Sequence, residues 1–301
     1  SGMAILTVRF PLQLTSAVIA AFFTLTSWAN PLPLWEVSDA DSRVLLMGSV
    51  HLLRASDYPL RDGLNQAYEL ADTLTMEIDL SSLDQAASQS AIASISIDPE
   101  GRKLSELVGT EAYEQATDMA EELGIPLMMF DQFEPWFAAL SVTQLRMVQL
   151  GFDPSWGVEA IFTRKAVAEQ KPLAGLETLV EQLGFMDRLD PQTQKTFLLQ
   201  SLEDAATVQD EVETVVQAWT NGDVQQLEAS LLEGLTEAPL LYEALLVERN
   251  KNWIEPIQQL LDQPGTHLVI VGAMHLIGDS SVLALLSAAG VDSRQLHDSD
   301  F

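Results

Sequence analysis

The sequence predicts an α/β fold: a central mixed β-sheet flanked by helices, with a largely helical insertion in the second half of the chain. Three observations predict it. Apolar runs of strand length alternate with segments of helical spacing, glycines punctuate the ends of several of them, and residues 178–262 carry helical character with few strand signals.

The elements follow in order. Residues 34–37 and 43–47 are short apolar runs around Ser38-Asp39-Ala40-Asp41, which reads as a β-hairpin. Residues 59–71 set Leu60, Leu64, Ala67 and Leu70 on one helical face. Residues 73–79 alternate, Leu74, Met76 and Ile78 against Thr75, Glu77 and Asp79, which is a strand pattern. A helix over 110–123 is closed by Gly124, and the apolar run 125–130 reads as a strand. Helices are expected over 136–150 and 157–169, and a short strand over 172–176. After the helical stretch come a strand over 267–272 and a helix over 280–289 ended by Gly290. No repeat or low-complexity linker divides the chain, so residues 30–301 are expected to form one α/β domain.

Composition narrows the partners. Of 301 residues 47% are hydrophobic, enough for a substantial core, and 15 Lys+Arg against 44 Asp+Glu give a net charge of -29. Such a surface repels nucleic acid and anionic headgroups. The absence of cysteine excludes thiol catalysis, Cys-ligated metal and disulfides.

At the N-terminus, Ser1-Gly2 ahead of Met3 reads as a cloning remnant. Arg9 then precedes an uncharged apolar run that ends Ser27-Trp28-Ala29, with small residues at 27 and 29. That is the pattern of a secretory signal peptide. Residues 1–29 are therefore set apart from the fold. The mature protein is expected to be exported, in the periplasm of a Gram-negative bacterium or secreted, with no membrane attachment after cleavage.

Only four histidines occur, and two share a pattern. Gly48-Ser49-Val50-His51 and Gly272-Ala273-Met274-His275 each follow an apolar strand. Four histidines and 16 glycines should give about 0.2 such pairs by chance, so two is an excess. Glycine at a strand end permits a turn or a close approach that Cβ would obstruct. The histidine three residues on then stands at the carboxyl edge of the sheet, where α/β proteins bind ligands. Neutral imidazole serves there as a metal ligand or as a general base. His267 opens a strand, His297 lies in a polar tail, and neither is assigned a role.

Among the carboxylates, Glu77 stands out because it lies on an apolar strand, where a buried charge must be compensated. Its alternative is the solvated face of an edge strand. Glu159 stands near a helix start, where a carboxylate also complements the dipole. Glu177 ends another short strand and is comparable. Arg249, in an acid-rich segment, reads as a surface ion pair or as a group that steadies an oxyanion.

These runs resemble the TraB/GumN family, which includes the TIKI proteases. The resemblance begins with residues 34–37 to His51 and Ala71-Asp72-Thr73 to Asp79. It continues through Pro135-Trp136, Gly151-Phe152-Asp153, Gly157-Val158-Glu159, Gly175-Leu176-Glu177-Thr178 and Glu181-Gln182. It ends with Arg249-Asn250, Trp253 and Val271 to Leu276 with Gly278. The resemblance implies a site of His51, His275, Glu77, Arg249 and Asn250, in a fold like that of erythromycin esterases and ChaN-type haem-binding lipoproteins. In the TIKI branch the implied activity is metal-dependent peptide cleavage. No membrane-tethered role like that of animal TIKI proteins, which carry a C-terminal anchor, is expected.

The resulting expectation is a metal-dependent, peptidase-like hydrolase acting on a peptide or small-molecule substrate. His51, His275, Glu77 and Glu159 would form a mixed N/O shell for a divalent transition metal (Zn, Mn or Co). Two alternatives differ in chemistry: a metal-free esterase-like hydrolase with a histidine base, and a non-catalytic periplasmic protein that binds haem, metal or peptide.

Overall fold

A computed structural model describes residues 30–301, so the expected signal peptide at 1–29 lies outside the described residues. The hairpin forms as expected: β1 (Pro31–Ser38) and β2 (Ser42–Ser49) pair antiparallel, with Leu34 opposite Met47. The remaining strands are β3 (Thr73–Met76), β4 (Leu173–Gly175), β5 (Gly265–Gly272) and β6 (Arg294–His297). They form one six-stranded mixed sheet in the order β4-β3-β5-β2-β1-β6. The run β4-β3-β5-β2 is parallel, which brings four strand carboxyl ends to one edge.

Both faces of the sheet are covered, which explains why its central strands are apolar on both sides. On β2, Leu45 and Met47 point into one core and Val44 and Leu46 into another. On β5, Leu268 and Ile270 join the first and Val269 and Val271 the second. The first core is closed by helices Asp62–Leu70 and Val158–Glu169, through Leu64, Tyr68, Phe162 and Ala166. The second is closed by helices Glu248–Leu261 and Val282–Ala288, through Trp253, Ile257 and Leu286.

Residues between β4 and β5 are helical, as the sequence predicts, and include a helix of 30 residues, Pro191–Thr220. The C-terminal part of that long helix packs on the first core. Trp219 is buried there and donates its indole N–H to the Gly48 carbonyl at 2.8 Å. Its N-terminal part joins Leu104–Val108, Thr110–Glu122 and Pro135–Gln149 around a separate apolar cluster.

Some expectations are corrected. The run 125–130 is not a strand but a 3-10 turn, Leu127–Phe130, entered through Pro126. Leu127 and Phe130 are buried while Met128 and Met129 face solvent, the spacing of a turn rather than of a pleat. The strand expected over 73–79 ends at Met76, and Thr75 is buried beside Leu74, because β3 lies inside the sheet rather than at its edge. His297 belongs to β6 rather than to a tail, with Pro31 as its register partner. The helix Gln85–Ser96 was not expected. Its uncharged, mostly exposed Ala/Ser/Gln sequence has no apolar stripe, and its start is capped by Asp84, which accepts from Ala87 N–H.

Candidate functional site

Each of the four parallel strands delivers a polar side chain as its chain leaves the sheet: His51 after β2, Glu77 after β3, Glu177 after β4 and His275 after β5. Register fixes their proximity. Ser49 is paired with Gly272 across β2 and β5. Beyond β3 and β4, the amides of Leu176 and Glu177 donate to the carbonyls of Met76 and Glu77.

The two glycine-histidine motifs interlock. A Cβ on Gly272 would stand 3.1 Å from His51 Nε2, and one on Gly48 would stand 3.2 Å from Ala273 Cα. Each glycine thus makes room for the other motif, a close approach that a side chain would force apart.

His51 and Glu159 form the open half of the site. Helix Val158–Glu169 begins against the His51 segment, with Val158 N–H bonded to the Val50 carbonyl, so Glu159 in its first turn reaches His51. His51 Nδ1 is 2.8 Å from Glu159 Oε1, which also accepts from the Ser49 hydroxyl. Glu159 Oε2 is buried and has no partner. The His51 side chain is 59% exposed, and its Nε2 lies 3.5 Å from Glu77 Oε2.

Glu77 joins that half to a closed one. Its Oε1 is 3.0 Å from His275 Nε2 and accepts from Arg249 Nη2 at 3.0 Å. His275 Nδ1 is 2.6 Å from Asn250 Oδ1, and Asn250 Nδ2 donates to the Ser280 carbonyl, which fixes the amide's orientation. The His275 ring lies 4.4 Å from Trp253 and is 5% exposed.

Arg249, expected as a surface ion pair or as a group that steadies an oxyanion, is buried, because helix Glu248–Leu261 turns it toward the sheet edge. Four of its five N–H donors are occupied, by Glu177 through Nε and Nη2, by Glu77 through Nη2 and by the Leu245 carbonyl through Nη1. That carbonyl belongs to a π-helical turn, Glu243–Val247, an irregularity frequent beside functional sites. Such engagement suits an ion pair that holds Glu77 and leaves little of the guanidinium free to meet an oxyanion.

Electrostatics set the halves apart. The Glu159 carboxylate outweighs desolvation and pushes the His51 imidazole up to about 10. Burial pushes His275 down, against the pull of Glu77. For Glu77 burial would raise the pKa, yet the His275 hydrogen bond and the His51 and Arg249 charges hold it well below the usual carboxylate range. Three carboxylates, Glu77, Glu159 and Glu177, face one guanidinium, which leaves an excess of negative charge. Buried charge of one sign requires compensation, by a proton on imidazole or by a bound cation.

The residues suit a cation. One donor atom each from His51, Glu77 and Glu159 lies within 4.8 Å of the others. The Glu159 oxygen without a partner offers a lone pair, and His51 Nδ1 is bonded to a carboxylate, the arrangement common around metal-bound histidines, with Nε2 turned toward Glu77 Oε2. One imidazole and two carboxylates suit a divalent ion such as Zn, Mn or Co. His275, expected among the ligands, stands behind Glu77 with both nitrogens engaged.

The other four residues expected at the site, His51, His275, Arg249 and Asn250, therefore gather around Glu77, with Glu159. Sequence reasoning left Glu177 outside, although it ends a strand just as Glu77 does. It also gave no role to Ser49, inside the first motif, or to Trp253, whose indole reaches Glu177 at 3.3 Å.

Comparison with known proteins adds the following. The TraB/PrgY/gumN family matches residues 33–295. An uncharacterized protein, YbaP, of Escherichia coli (strain K12) is 24% identical over 241 residues, 80% of this chain and 86% of that protein. YbaP of Shigella flexneri matches with the same identity and extent. No solved structure matches the chain.

Proposed function

The chain belongs to the TraB/PrgY/gumN family, and from that premise we propose that it is an exported, divalent-metal-dependent hydrolase that cleaves peptides. The observation that carries the reading is the group His51, Glu77 and Glu159, one donor atom of each within 4.8 Å of the others, together with a buried Glu159 oxygen that has no partner.

His51, Glu77 and Glu159 would hold the ion. A divalent ion bound there supplies Lewis acidity and lowers the pKa of a water molecule. The chain's own residues do the rest. Glu159 orients His51 through Nδ1. Glu77, kept ionised by its neighbours, turns Oε2 to the open side, where it would serve the ion. His275 steadies the other oxygen of Glu77, and Asn250 fixes the His275 ring. Trp253 and the surrounding core exclude water from that side.

A cleft of about 370 Å³ adjoins Glu177 at the ends of β3 and β4, with Ile78, Leu83, Leu176 and Leu179 among its lining. Asp79, Ser82, Thr178 and Glu181 also line it, so the cleft is of mixed polarity. Its size falls in the range of ligand pockets. No helix among the described residues is long and apolar enough to cross a membrane.

Elemental analysis and calorimetry with Zn, Mn and Co test the reading. Wild type should bind close to one ion, H51A and E159Q should bind it at least tenfold more weakly, and a chelator should abolish peptide hydrolysis. Full hydrolysis by metal-stripped protein would instead favour a metal-free base at His51. Ion binding without hydrolysis would favour a binding protein.

A further inference from the structure

We propose that Glu177, outside the donor group, is a positioning residue that keeps Glu77 Oε2 available to a divalent cation by taking up the fork of Arg249. The inference rests on the metal-dependent reading above and concerns how the site stays open to its ion.

Glu177 is built in as firmly as any donor. Its side chain is 6% exposed. It accepts from Arg249 Nε at 3.0 Å and Nη2 at 2.6 Å, from Gln182 Nε2 at 2.9 Å and from Trp253 Nε1 at 3.3 Å. Backbone bonds lock it beside Glu77, so the guanidinium lies between two carboxylates held in register.

The division of donors is unequal. Guanidinium and carboxylate favour a two-pronged match. Glu177 takes two donors, Nε and Nη2, chiefly on Oε1 with Nε also 3.4 Å from Oε2, and Glu77 receives a single Nη2–H on Oε1, the oxygen already shared with His275. Glu77 Oε2 is left with His51 Nε2 as its neighbour at 3.5 Å. With a neutral side chain at 177, nothing of opposite charge would hold the fork away. Arg249 would close on both oxygens of Glu77, and its donors would occupy the oxygen a cation needs. The effect of Glu177 therefore passes through Arg249.

A double-mutant cycle on the full chain tests this. Mn²⁺ is titrated calorimetrically into wild type, E177Q, R249M and E177Q/R249M, with circular dichroism melts to verify folding. E177Q should weaken Mn²⁺ binding about 10–100-fold, the usual effect of losing a partner behind a ligand. In the R249M background, the same change should move affinity less than about threefold, because no fork remains to be held. Equal affinity of E177Q and wild type, or the same weakening in both backgrounds, would overturn the proposal and leave the metal reading standing. A wild type that binds no divalent ion would instead overturn that reading, and this inference with it. Should R249M not fold, a crystal structure of E177Q decides: Arg249 nitrogen within hydrogen-bond distance of Glu77 Oε2 supports the proposal, and an unmoved Arg249 overturns it.

Discussion

His51 and His275 end the same four-residue motif on neighbouring parallel strands, yet one side chain is 59% exposed and the other 5%. The difference comes from what covers each strand end. Over β5, helix Glu248–Leu261 lays Trp253 on the His275 ring and brings Asn250 to its Nδ1. Beyond β2, helix Val158–Glu169 reaches His51 only through Glu159 in its first turn and leaves the ring in the open. The shared motif sets where each imidazole stands. The helix packed above it sets whether that imidazole meets a ligand or braces another residue.

The sharpest way to break this comparison is to remove each ring. H275A takes away the partner of two buried polar groups, Glu77 and Asn250, together with packing on Trp253. It should cost about 3–5 kcal/mol in urea denaturation. H51A removes a ring that already meets water and should cost about 1–2 kcal/mol, mainly from Glu159 left with less compensation. Equal losses would show that the two halves carry the same structural weight.

A smaller effect tests the interlock. G272A puts a methyl 3.1 Å from His51 Nε2, so the ring must give way. Overpacking of this kind costs about 1–3 kcal/mol in thermal unfolding. Divalent-ion affinity should fall alongside it, because the displaced nitrogen is the one turned toward Glu77 Oε2. Unchanged affinity would mean that the two motifs tolerate separation.

The gentlest probe is pH. In metal-free protein the folded pKa of His51 is raised to about 10 from 6.5. Its contribution to stability is then fully present below about pH 6.5 and is lost as pH rises through the folded value. Exposure of the ring to solvent makes the slope shallow. Denaturant midpoints from pH 6 to 10 should decline gently in wild type and flatten in H51Q, whereas H275Q should retain the decline. A flat wild-type profile would remove the charge difference between the two histidines.

Much of this was legible in sequence, and the limits have physical reasons. The paired glycine-histidine motifs announce themselves because strand periodicity and glycine placement are local patterns. Glu77 was legible because a carboxylate in an apolar strand demands compensation. The burial of Arg249 was not, since its partners Glu77 and Glu177 lie far off in sequence, just beyond β3 and β4. Glu177 carried the same strand-end signal as Glu77 in a much shorter run. The 3-10 turn at Leu127–Phe130 was misread because a brief apolar run fits either a pleat or a turn until its neighbours are known.

The strand order has a bearing on when the site comes into being. β5 separates β3 from β2, so the central position of the sheet is filled by a late stretch of the chain. Until Gly265–Gly272 has been synthesised and has slotted between strands made much earlier, His51 and Glu77 have no scaffold to bring them together. Pairings between distant parts of a chain are also the slow ones to form. A nascent or truncated chain ending before that strand lacks the assembled cluster, which comes together only when folding is nearly complete.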